Sequence, residues 1–368
     1  MVINLKSQTA LSGLYLVYKG SINLEKKGWF GITHFLEHLK CKVVDDLQDE
    51  FQSNGISHNA YTSDNFVVFY FQGIEKYLAP FRDIIIERFK TFTATEDDVI
   101  KEKKIVLEEY LDCFTEQVQT HSINFNRRFY GTYSPIGLKE DIENYTFQDC
   151  LDFHALQYEE PDMIINISKD FVLADNVMTF KNRSLTMKTD WKYDANTILE
   201  KSISFPEKTS IIWDKKVDLV DLPVLKYITS MLGSGLNSPL YQEVREKRGL
   251  VYYIQCYSSR IGDVSTINIS TITSDVNVSI LNDVVANVLS NRNTHITKER
   301  LELIKKGALI AREKKDINRF SNISDILYPE QKIAEDILET LELDQIHYVY
   351  DKYFDPNTFV KNTDKELI

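Results

Sequence analysis

The chain is poor in the two residues that most often interrupt regular structure, with 8 prolines and 13 glycines among 368 residues. It has no low-complexity segment and no long linker of proline, glycine and serine. Because proline and glycine end helices and weaken strands, this scarcity predicts a chain that is mostly helix and strand. The length is too great for one ordinary hydrophobic core and predicts two domains of about 180 residues each.

Positive charge is also in short supply. Lysine and arginine number 43 against 55 aspartates and glutamates, which gives a formal net charge of −12. Proteins bind nucleic acids and anionic membranes through basic surfaces, so neither is expected as the main partner. No run of 18 apolar residues is present, and the sequence therefore predicts no membrane-spanning helix.

Cysteine is scarce and scattered. Cys41, Cys113, Cys150 and Cys256 form no C-x-x-C pair, and this spacing predicts buried free thiols in a reducing compartment. The first residues carry neither a charged-then-apolar signal nor a transit segment rich in arginine and serine, so we expect a cytoplasmic protein. Cys41 lies three residues after His38, but a histidine pair on the same predicted helix offers better metal ligands.

One short motif suggests chemistry. His34, Glu37 and His38 form the pattern H-x-x-E-H, the reverse of the H-E-x-x-H found in many zinc hydrolases. Residues four apart on a helix project from the same side, so the two histidines can hold one metal ion. Glu37 lies near that side and can deprotonate a metal-bound water. The alternative is a chance match, in which His34 is a buried histidine bonded to backbone and Glu37 is a solvated helix residue.

A catalytic zinc ion needs a third protein ligand as well as an open position. The segment from Thr95 to Tyr110 predicts a helix with an apolar stripe, and Glu109 is our candidate for this ligand. Glu102 lies two turns earlier on the same face, about 10 Å away along the axis, where it can orient a ligand histidine. Glu108 is rotated off that face by roughly 100°. The alternative for these glutamates is the solvated acidic face of an ordinary helix.

The two halves of the sequence repeat one order of predicted elements: a strand, a helix, two strands and then helices. Each half has a similar break before its last strand, at Tyr158-Glu159-Glu160-Pro161 and at Tyr353-Phe354-Asp355-Pro356. This repetition predicts a duplicated α+β unit, in which a mostly antiparallel sheet carries helices on one face. The predicted boundaries are 1–172 for the first domain, 173–201 for the connection and 202–368 for the second domain.

Four segments in both halves of the chain add a resemblance to this interpretation. They are G-I-T-H-F-L-E-H at 31–38, N-A-Y-T-S-D at 59–64, E-K-K-I-V-L-E-E at 102–109 and L-G-S-G-L-N-S-P-L-Y-Q-E-V-R-E-K-R-G-L-V-Y-Y at 232–253. In order and spacing they resemble the M16 (pitrilysin/insulinase) family of zinc metallopeptidases, in its short, processing-peptidase-like form. The chain departs from the family after the second histidine, where Lys40-Cys41-Lys42-Val43 replaces an aromatic-Lys-Gly-Thr run. The resemblance implies two duplicated domains with the M16 (LuxS-like) fold.

The resemblance also implies a metal site. His34, His38 and Glu109 would bind one Zn²⁺ per chain. Glu37 would be the general base that activates water, and Glu102 would support catalysis without binding the metal.

Four further residues match positions that bind substrate in the family. Asn59 and Ala60 match the edge strand to which a peptide adds as an extra strand. Arg245 and Tyr252 match a pair that stabilises the oxyanion, or holds the substrate carbonyl, from the opposite half of the enzyme. Without the resemblance, Arg245 is typical of a surface helix and Tyr252 of a hydrophobic core.

Two such two-domain halves form a closing chamber in the M16 family, either as one long chain or as two short ones. This chain resembles one half and has both the zinc ligands and the Arg/Tyr pair, so the resemblance implies a homodimer. The expected function is a zinc endopeptidase that cleaves short or unfolded peptides. Two alternatives stay open: a non-catalytic subunit for assembly or peptide binding, and a catalytic subunit that needs a different partner chain.

Overall fold

The computed structural model describes residues 1–131, 133–183, 199, 207–262, 264–317 and 323–367. These residues form two compact units. The first contains Met1–Asp112 and the described part of 131–183, and the second contains Cys113–Tyr130 and nearly all described residues from Glu207 onward. Most of the predicted connection 173–201 lies outside the described residues, as does the start of the predicted second domain.

The first unit is built on a five-stranded sheet with the strand order β1-β5-β2-β4-β3. Neighbouring strands are antiparallel except β1 and β5, which are parallel. The inner strands are rich in apolar and aromatic residues and are almost wholly buried, whereas β3 at the edge alternates exposed and half-buried residues. The strands are β1 (Val2–Lys6), β2 (Leu11–Lys19), β3 (Ser57–Thr62), β4 (Phe66–Ile74) and β5 (Met163–Ser168).

Two helices of the first unit carry the candidate site, α1 and α5. Helix α5 begins where the sequence predicts, because two reciprocal hydrogen bonds fix its start. The backbone amide of Thr95 donates to the Asp98 carboxylate at 2.9 Å, and the backbone amide of Asp98 donates to the Thr95 hydroxyl at 3.3 Å. The helices of this unit are α1 (Ile32–Cys41), α2 (Gln48–Ser53), α3 (Glu75–Leu78), α4 (Arg82–Arg88), α5 (Glu96–Cys113), α7 (Lys139–Asn144) and α8 (Phe147–Phe153).

The second unit has a four-stranded antiparallel sheet with the order β7-β8-β6-β9. This order matches β3-β4-β2-β5 of the first sheet strand for strand, which is the topology expected of a duplicated unit. The strands are β6 (Lys208–Val217), β7 (Val251–Ile261), β8 (Val264–Ser274) and β9 (Val360–Thr363). The remaining helices are α6 (Gln117–Tyr130), α9 (Leu222–Gly233), α10 (Val278–Ser290), α11 (Arg292–His295), α12 (Lys298–Ile317), α13 (Ile323–Leu327), α14 (Pro329–Ile337), α15 (Leu343–Tyr353) and α16 (Asp364–Leu367).

Helix α6 is the place where the structure and the predicted boundary differ. The predicted first domain, 1–172, includes this helix, but α6 packs in the second unit. Its His121 bonds Ser210 of β6 through Nδ1 at 2.9 Å, and the hydroxyl of Tyr130 donates a hydrogen bond to the buried carboxylate of Asp214. These contacts join positions more than 80 residues apart, which local sequence patterns do not report.

Helix α6 also changes how the second sheet is covered. Ser210 and Asp214, which it contacts, alternate along β6 with Ile211 and Trp213, which belong to the hydrophobic core packed against the other helices. Successive side chains of a strand point to opposite faces. The predicted α+β class is confirmed, but this sheet carries helices on both faces instead of one. None of the helices in the described part of the chain has the length and apolar character of a membrane span.

Candidate active site

Helix α1 is fixed at its start by a buried carboxylate. Both oxygens of Glu25 accept backbone hydrogen bonds, from Gly31 at 2.9 Å and from Thr33 at 3.1 Å. The hydroxyl of Tyr158 donates a 2.7 Å bond to the carbonyl of Thr33. Burial raises the pKa of Glu25 to about 8 against the opposing effect of these backbone bonds. The first turn of the helix is therefore held by groups more than five residues away from it.

The metal-ligand candidates converge at one point. The Nε2 atoms of His34 and His38 lie 3.1 Å apart, and Oε2 of Glu109 lies 3.6 and 3.7 Å from them. Ligand bonds of 2.0–2.2 Å in a tetrahedral zinc site place neighbouring donor atoms about 3.3 Å apart. The two imidazoles and the carboxylate thus already have the spacing that one shared ion requires. Among the described residues, these three form the group of side chains that can hold a metal ion.

Glu102 orients one of the two histidines. Its Oε1 lies 2.9 Å from Nδ1 of His38, so this nitrogen carries the proton and Nε2 is left for a metal ion. The Glu102 side chain is buried, as expected for a group that bonds to a metal ligand instead of to solvent. Nδ1 of His34 is also buried but has no hydrogen-bond partner in the described part of the chain.

The electrostatics of the two histidines differ. Burial, together with the neighbouring His38, lowers the pKa of His34 to about 3, so His34 is neutral and its Nε2 can bind a metal. Burial also lowers the pKa of His38. The hydrogen bond that His38 donates to Glu102, together with the charges of Glu37, Glu102 and Glu109, outweighs burial, so the pKa of His38 is raised overall. A proton at His38 therefore competes with a metal ion more strongly than one at His34.

Glu37 lies beside the ligands and is almost withdrawn from solvent, with 7% of its surface exposed. Its Oε2 accepts a hydrogen bond from the hydroxyl of Thr62, the last residue of β3. Burial raises the pKa of Glu37, while the Thr62 bond and the nearby His38 oppose the rise. A carboxylate with a raised pKa holds a proton more readily than an ordinary glutamate, which suits a general base.

The strand that carries Asn59 and Ala60 is the open edge of the first sheet, since β3 pairs with β4 alone among the described strands. The backbone amide of Ser63 donates a hydrogen bond to the carbonyl of Phe66 at the turn between β3 and β4. This bond fixes which residues of β3 direct their backbone groups toward β4 and which direct them away. The backbone groups of Ala60 and Thr62 therefore point away from β4. The amide of Ala60 donates a hydrogen bond to Oδ1 of the neighbouring Asn59 at 2.8 Å instead, because no described strand pairs with it on this side.

Arg245 and Tyr252 lie together in the second unit. The Arg245 guanidinium carbon is 5.0 Å from the ring centre of Tyr252 and 4.8 Å from that of Tyr241. The guanidinium also donates a hydrogen bond to the Tyr241 hydroxyl. The Tyr252 side chain is 78% exposed, so the expectation of a core aromatic is wrong. The two residues form a cation–π pair that faces solvent, and their role at a metal site stays a prediction.

Cys41 has no place among the ligands. It is not part of the group of described side chains whose ligand atoms converge, and burial raises the pKa of its thiol to about 12. Cys41, Cys113, Cys150 and Cys256 form no disulfide, as the sequence predicts, but only Cys150 and Cys256 are buried.

Sequence reasoning missed two residues of the site. Glu25 belongs to none of the motifs found in the sequence, and Thr62 lies in the N-A-Y-T-S-D segment at 59–64 without a predicted role of its own. Glu25 contacts the start of α1 from the preceding loop, and Thr62 contacts α1 from β3. The only sequence signal for Thr62 is its place in the N-A-Y-T segment, two residues after Ala60.

The arrangement described above is that of an inverzincin site, with two histidines and a base on one helix and a carboxylate ligand on another. The family model described as Insulinase (Peptidase family M16) matches residues 2–133, which contain all of these groups. The model described as Peptidase M16 inactive domain matches residues 202–308, the half that carries Arg245 and Tyr252. The chain belongs to peptidase family M16, and it is a member of the short, two-domain type.

Relatives and solved structures agree with this assignment. The zinc protease YmxG of Bacillus subtilis is 25% identical over 350 residues, which cover 84% of this chain and 82% of that protein. The structure of a protease from Helicobacter pylori is 20% identical with a TM-score of 0.74, covering 98% of this chain and 96% of that one. The structure of a peptidase M16 inactive domain from Pseudomonas fluorescens is 16% identical with a TM-score of 0.77, covering 98% and 94%. At these identities the two structures show the fold, and they confirm the predicted fold class.

Proposed function

We propose that this chain is a zinc-dependent endopeptidase that hydrolyses short or unfolded peptides and works as a homodimer around a closed chamber. The observation that carries the proposal is the convergence of His34, His38 and Glu109 beside the buried carboxylate of Glu37. A subunit that only assembles or binds peptides has no use for three metal ligands and a base in one place. Its relatives are named zinc proteases, which supports peptidase activity at the level of the family.

The residues of the site divide the work of hydrolysis. When bound by His34, His38 and Glu109, one Zn²⁺ supplies a Lewis acid that polarises a carbonyl and lowers the pKa of water. Glu37 takes a proton from the attacking water on its carboxylate and gives it to the leaving amine nitrogen. Glu102 holds the proton on Nδ1 of His38 and so keeps this ring in the form and orientation that a ligand needs.

The open edge of β3 supplies the peptide-binding surface. An extended peptide that pairs with the outward backbone groups of Ala60 and Thr62 adds one strand to the sheet. Such pairing reads backbone and not side chains, which suits short or unfolded peptides of varied sequence. The Asn59 side chain, which now bonds the Ala60 amide, is free to bond the peptide once the peptide takes its place.

A second copy of the chain completes the site in this proposal. Arg245 and Tyr252 are paired and face solvent, and each carries a hydrogen-bond donor suited to a developing oxyanion or a substrate carbonyl. Because one chain has both the zinc ligands and this pair, two identical chains can supply each other.

Cleavage of a peptide library, read by mass spectrometry, tests the proposal. The purified chain should cleave with zinc, lose cleavage when a chelator removes the metal, and regain it when zinc is restored. Its mass in solution should be twice that of one chain. Cleavage that survives metal removal contradicts the zinc mechanism. A zinc-free protein without cleavage points to the non-catalytic subunit, and cleavage that appears only after a different chain is added points to the heterodimer.

A further inference from the structure

Among the described residues, one group donates a hydrogen bond to the carboxylate of Glu37. Its Oε2 accepts from the hydroxyl of Thr62, and Oε1 accepts no hydrogen bond from the described residues. The side chain is nearly buried, so solvent does little to fix its orientation. A base that must face both an attacking water and a leaving nitrogen works only when its oxygens are held in place. The Thr62 hydroxyl is the group that holds them.

Thr62 also belongs to the strand on which the peptide is proposed to lie. The Ser63–Phe66 backbone bond places the amide and carbonyl of Thr62 on the free edge of β3, in line with those of Ala60. One residue thus presents its backbone to the incoming peptide and its side chain to the base.

We propose that Thr62 is a positioning residue that sets the orientation of the Glu37 carboxylate and links it to the strand that binds the peptide. This inference rests on the proposed function, since it gives Thr62 a part in the same reaction. A peptide that pairs with β3 stiffens the strand end from which Thr62 reaches Glu37. Peptide docking and alignment of the base are then one event.

The chemistry of a hydroxyl suits this task. The Thr62 oxygen can donate a hydrogen bond to the carboxylate and accept one from the carboxylic acid, because a hydroxyl has one donor and two acceptor sites. The bond to Glu37 therefore survives when Glu37 takes a proton from water and when it gives the proton to the leaving amine. A backbone amide in the same place could only donate.

The test compares Thr62→Val, which keeps the shape but removes the hydroxyl, with Thr62→Ser, which keeps the hydroxyl. A misplaced base costs about 100-fold in rate when displaced by about 1 Å, so Thr62→Val should lower kcat by ~10- to 100-fold. KM should stay within about twofold, because the backbone pairing of the peptide is unchanged. Thr62→Ser should recover kcat to within about threefold of the unaltered chain, since its hydroxyl still reaches Glu37. Thr340→Val, at an exposed threonine of the second unit, is the matched control and should change neither constant.

Two readouts do not depend on turnover. The dissociation constant of a fluorescent peptide for the metal-free protein, and the zinc affinity, should be the same in Thr62→Val as in the unaltered chain. In a Glu37→Gln background, Thr62→Val should cause no further fall in the residual rate, because it acts through Glu37.

The inference is overturned if Thr62→Val keeps its kcat or if Thr62→Ser is equally impaired. It is also overturned if the loss appears in peptide binding or zinc affinity, or recurs in the Glu37→Gln background. In each of these cases the unaltered chain still cleaves with zinc, so the proposed function stands. An unaltered chain that binds zinc and cleaves nothing overturns both.

Discussion

Helices α1 and α9 occupy corresponding places in the two units. Each follows the strand that lies third from the open edge of its sheet, β2 or β6, and precedes the edge strand, β3 or β7. Helix α9 buries apolar side chains along most of its length, among them Leu225, Ile228 and Met231. Helix α1 buries an apolar face as well, but it also buries the carboxylate of Glu37 and sets two histidines against α5.

The difference separates what the fold needs from what the chemistry needs. Burying a carboxylate has a desolvation cost of several kcal/mol, and one hydrogen bond, such as that from Thr62 to Glu37, offsets it only in part. Helix α9 occupies the same position in the same topology and buries no charged side chain. The polar groups of α1 are thus not required by the architecture, and their convergence on Glu109 calls for a function.

The two edge strands extend the comparison. Strand β3 carries Asn59, Ala60 and Thr62, whereas β7 carries the exposed Tyr252, against which Arg245 packs. Each unit therefore places its candidate functional residues at the same edge of its sheet. The first unit has the candidate metal ligands and the candidate base, and the second has the guanidinium of Arg245 and the phenol of Tyr252.

The largest effect on metal binding is expected from the carboxylate ligand. Glu109→Gln should lower zinc affinity by more than about 100-fold, because even residues that only support a ligand cost 10- to 100-fold. Glu108→Gln is the matched control, since this exposed neighbour on α5 is not part of the ligand group. Zinc titration of the two variants checks the prediction. Equal zinc affinities in both would show that Glu109 is not a ligand and would remove the contrast between the units.

Sequence alone could predict most of this site because its main spacings are local. His34 and His38 are one turn apart, and Glu102 and Glu109 share a face of one helix, so helical geometry sets both pairs. Helical geometry does not pair α1 with α5: the choice of Glu109 rests on the need for a third ligand on a second amphipathic helix, and the resemblance to a family supports it. Glu25 and Thr62 could not be predicted, since each reaches α1 from another part of the fold. The same limit applies to α6, whose amphipathic pattern does not say which sheet it covers.

The smallest effect on cleavage is expected in the second unit, at Asp214. Burial raises the pKa of this carboxyl to about 7 from an ordinary value of 3.8, and Tyr130 donates a hydrogen bond to it. The folded state then keeps a proton that the unfolded chain releases near pH 4, so stability falls as pH rises from about 4 to about 7. Asp214→Asn cannot ionise and should remove this dependence, which is on the order of 2 kcal/mol between pH 5 and pH 8.

Urea unfolding of both proteins at pH 5 and pH 8 measures the Asp214 effect, and cleavage per folded molecule should be unchanged. Parallel pH profiles would show that Asp214 is ionised in the folded chain. A fall in kcat without a fall in stability would contradict the division of labour between the units.

The Glu37→Gln variant tests the proposed zinc peptidase most directly, with zinc content and peptide cleavage measured on one preparation. We expect one zinc ion per chain, as in the unaltered protein, and a loss of cleavage of about 100-fold or more, the range of general-base catalysis. Cleavage at the unaltered rate by the zinc-loaded variant would show that Glu37 is not the base and would overturn the proposed mechanism.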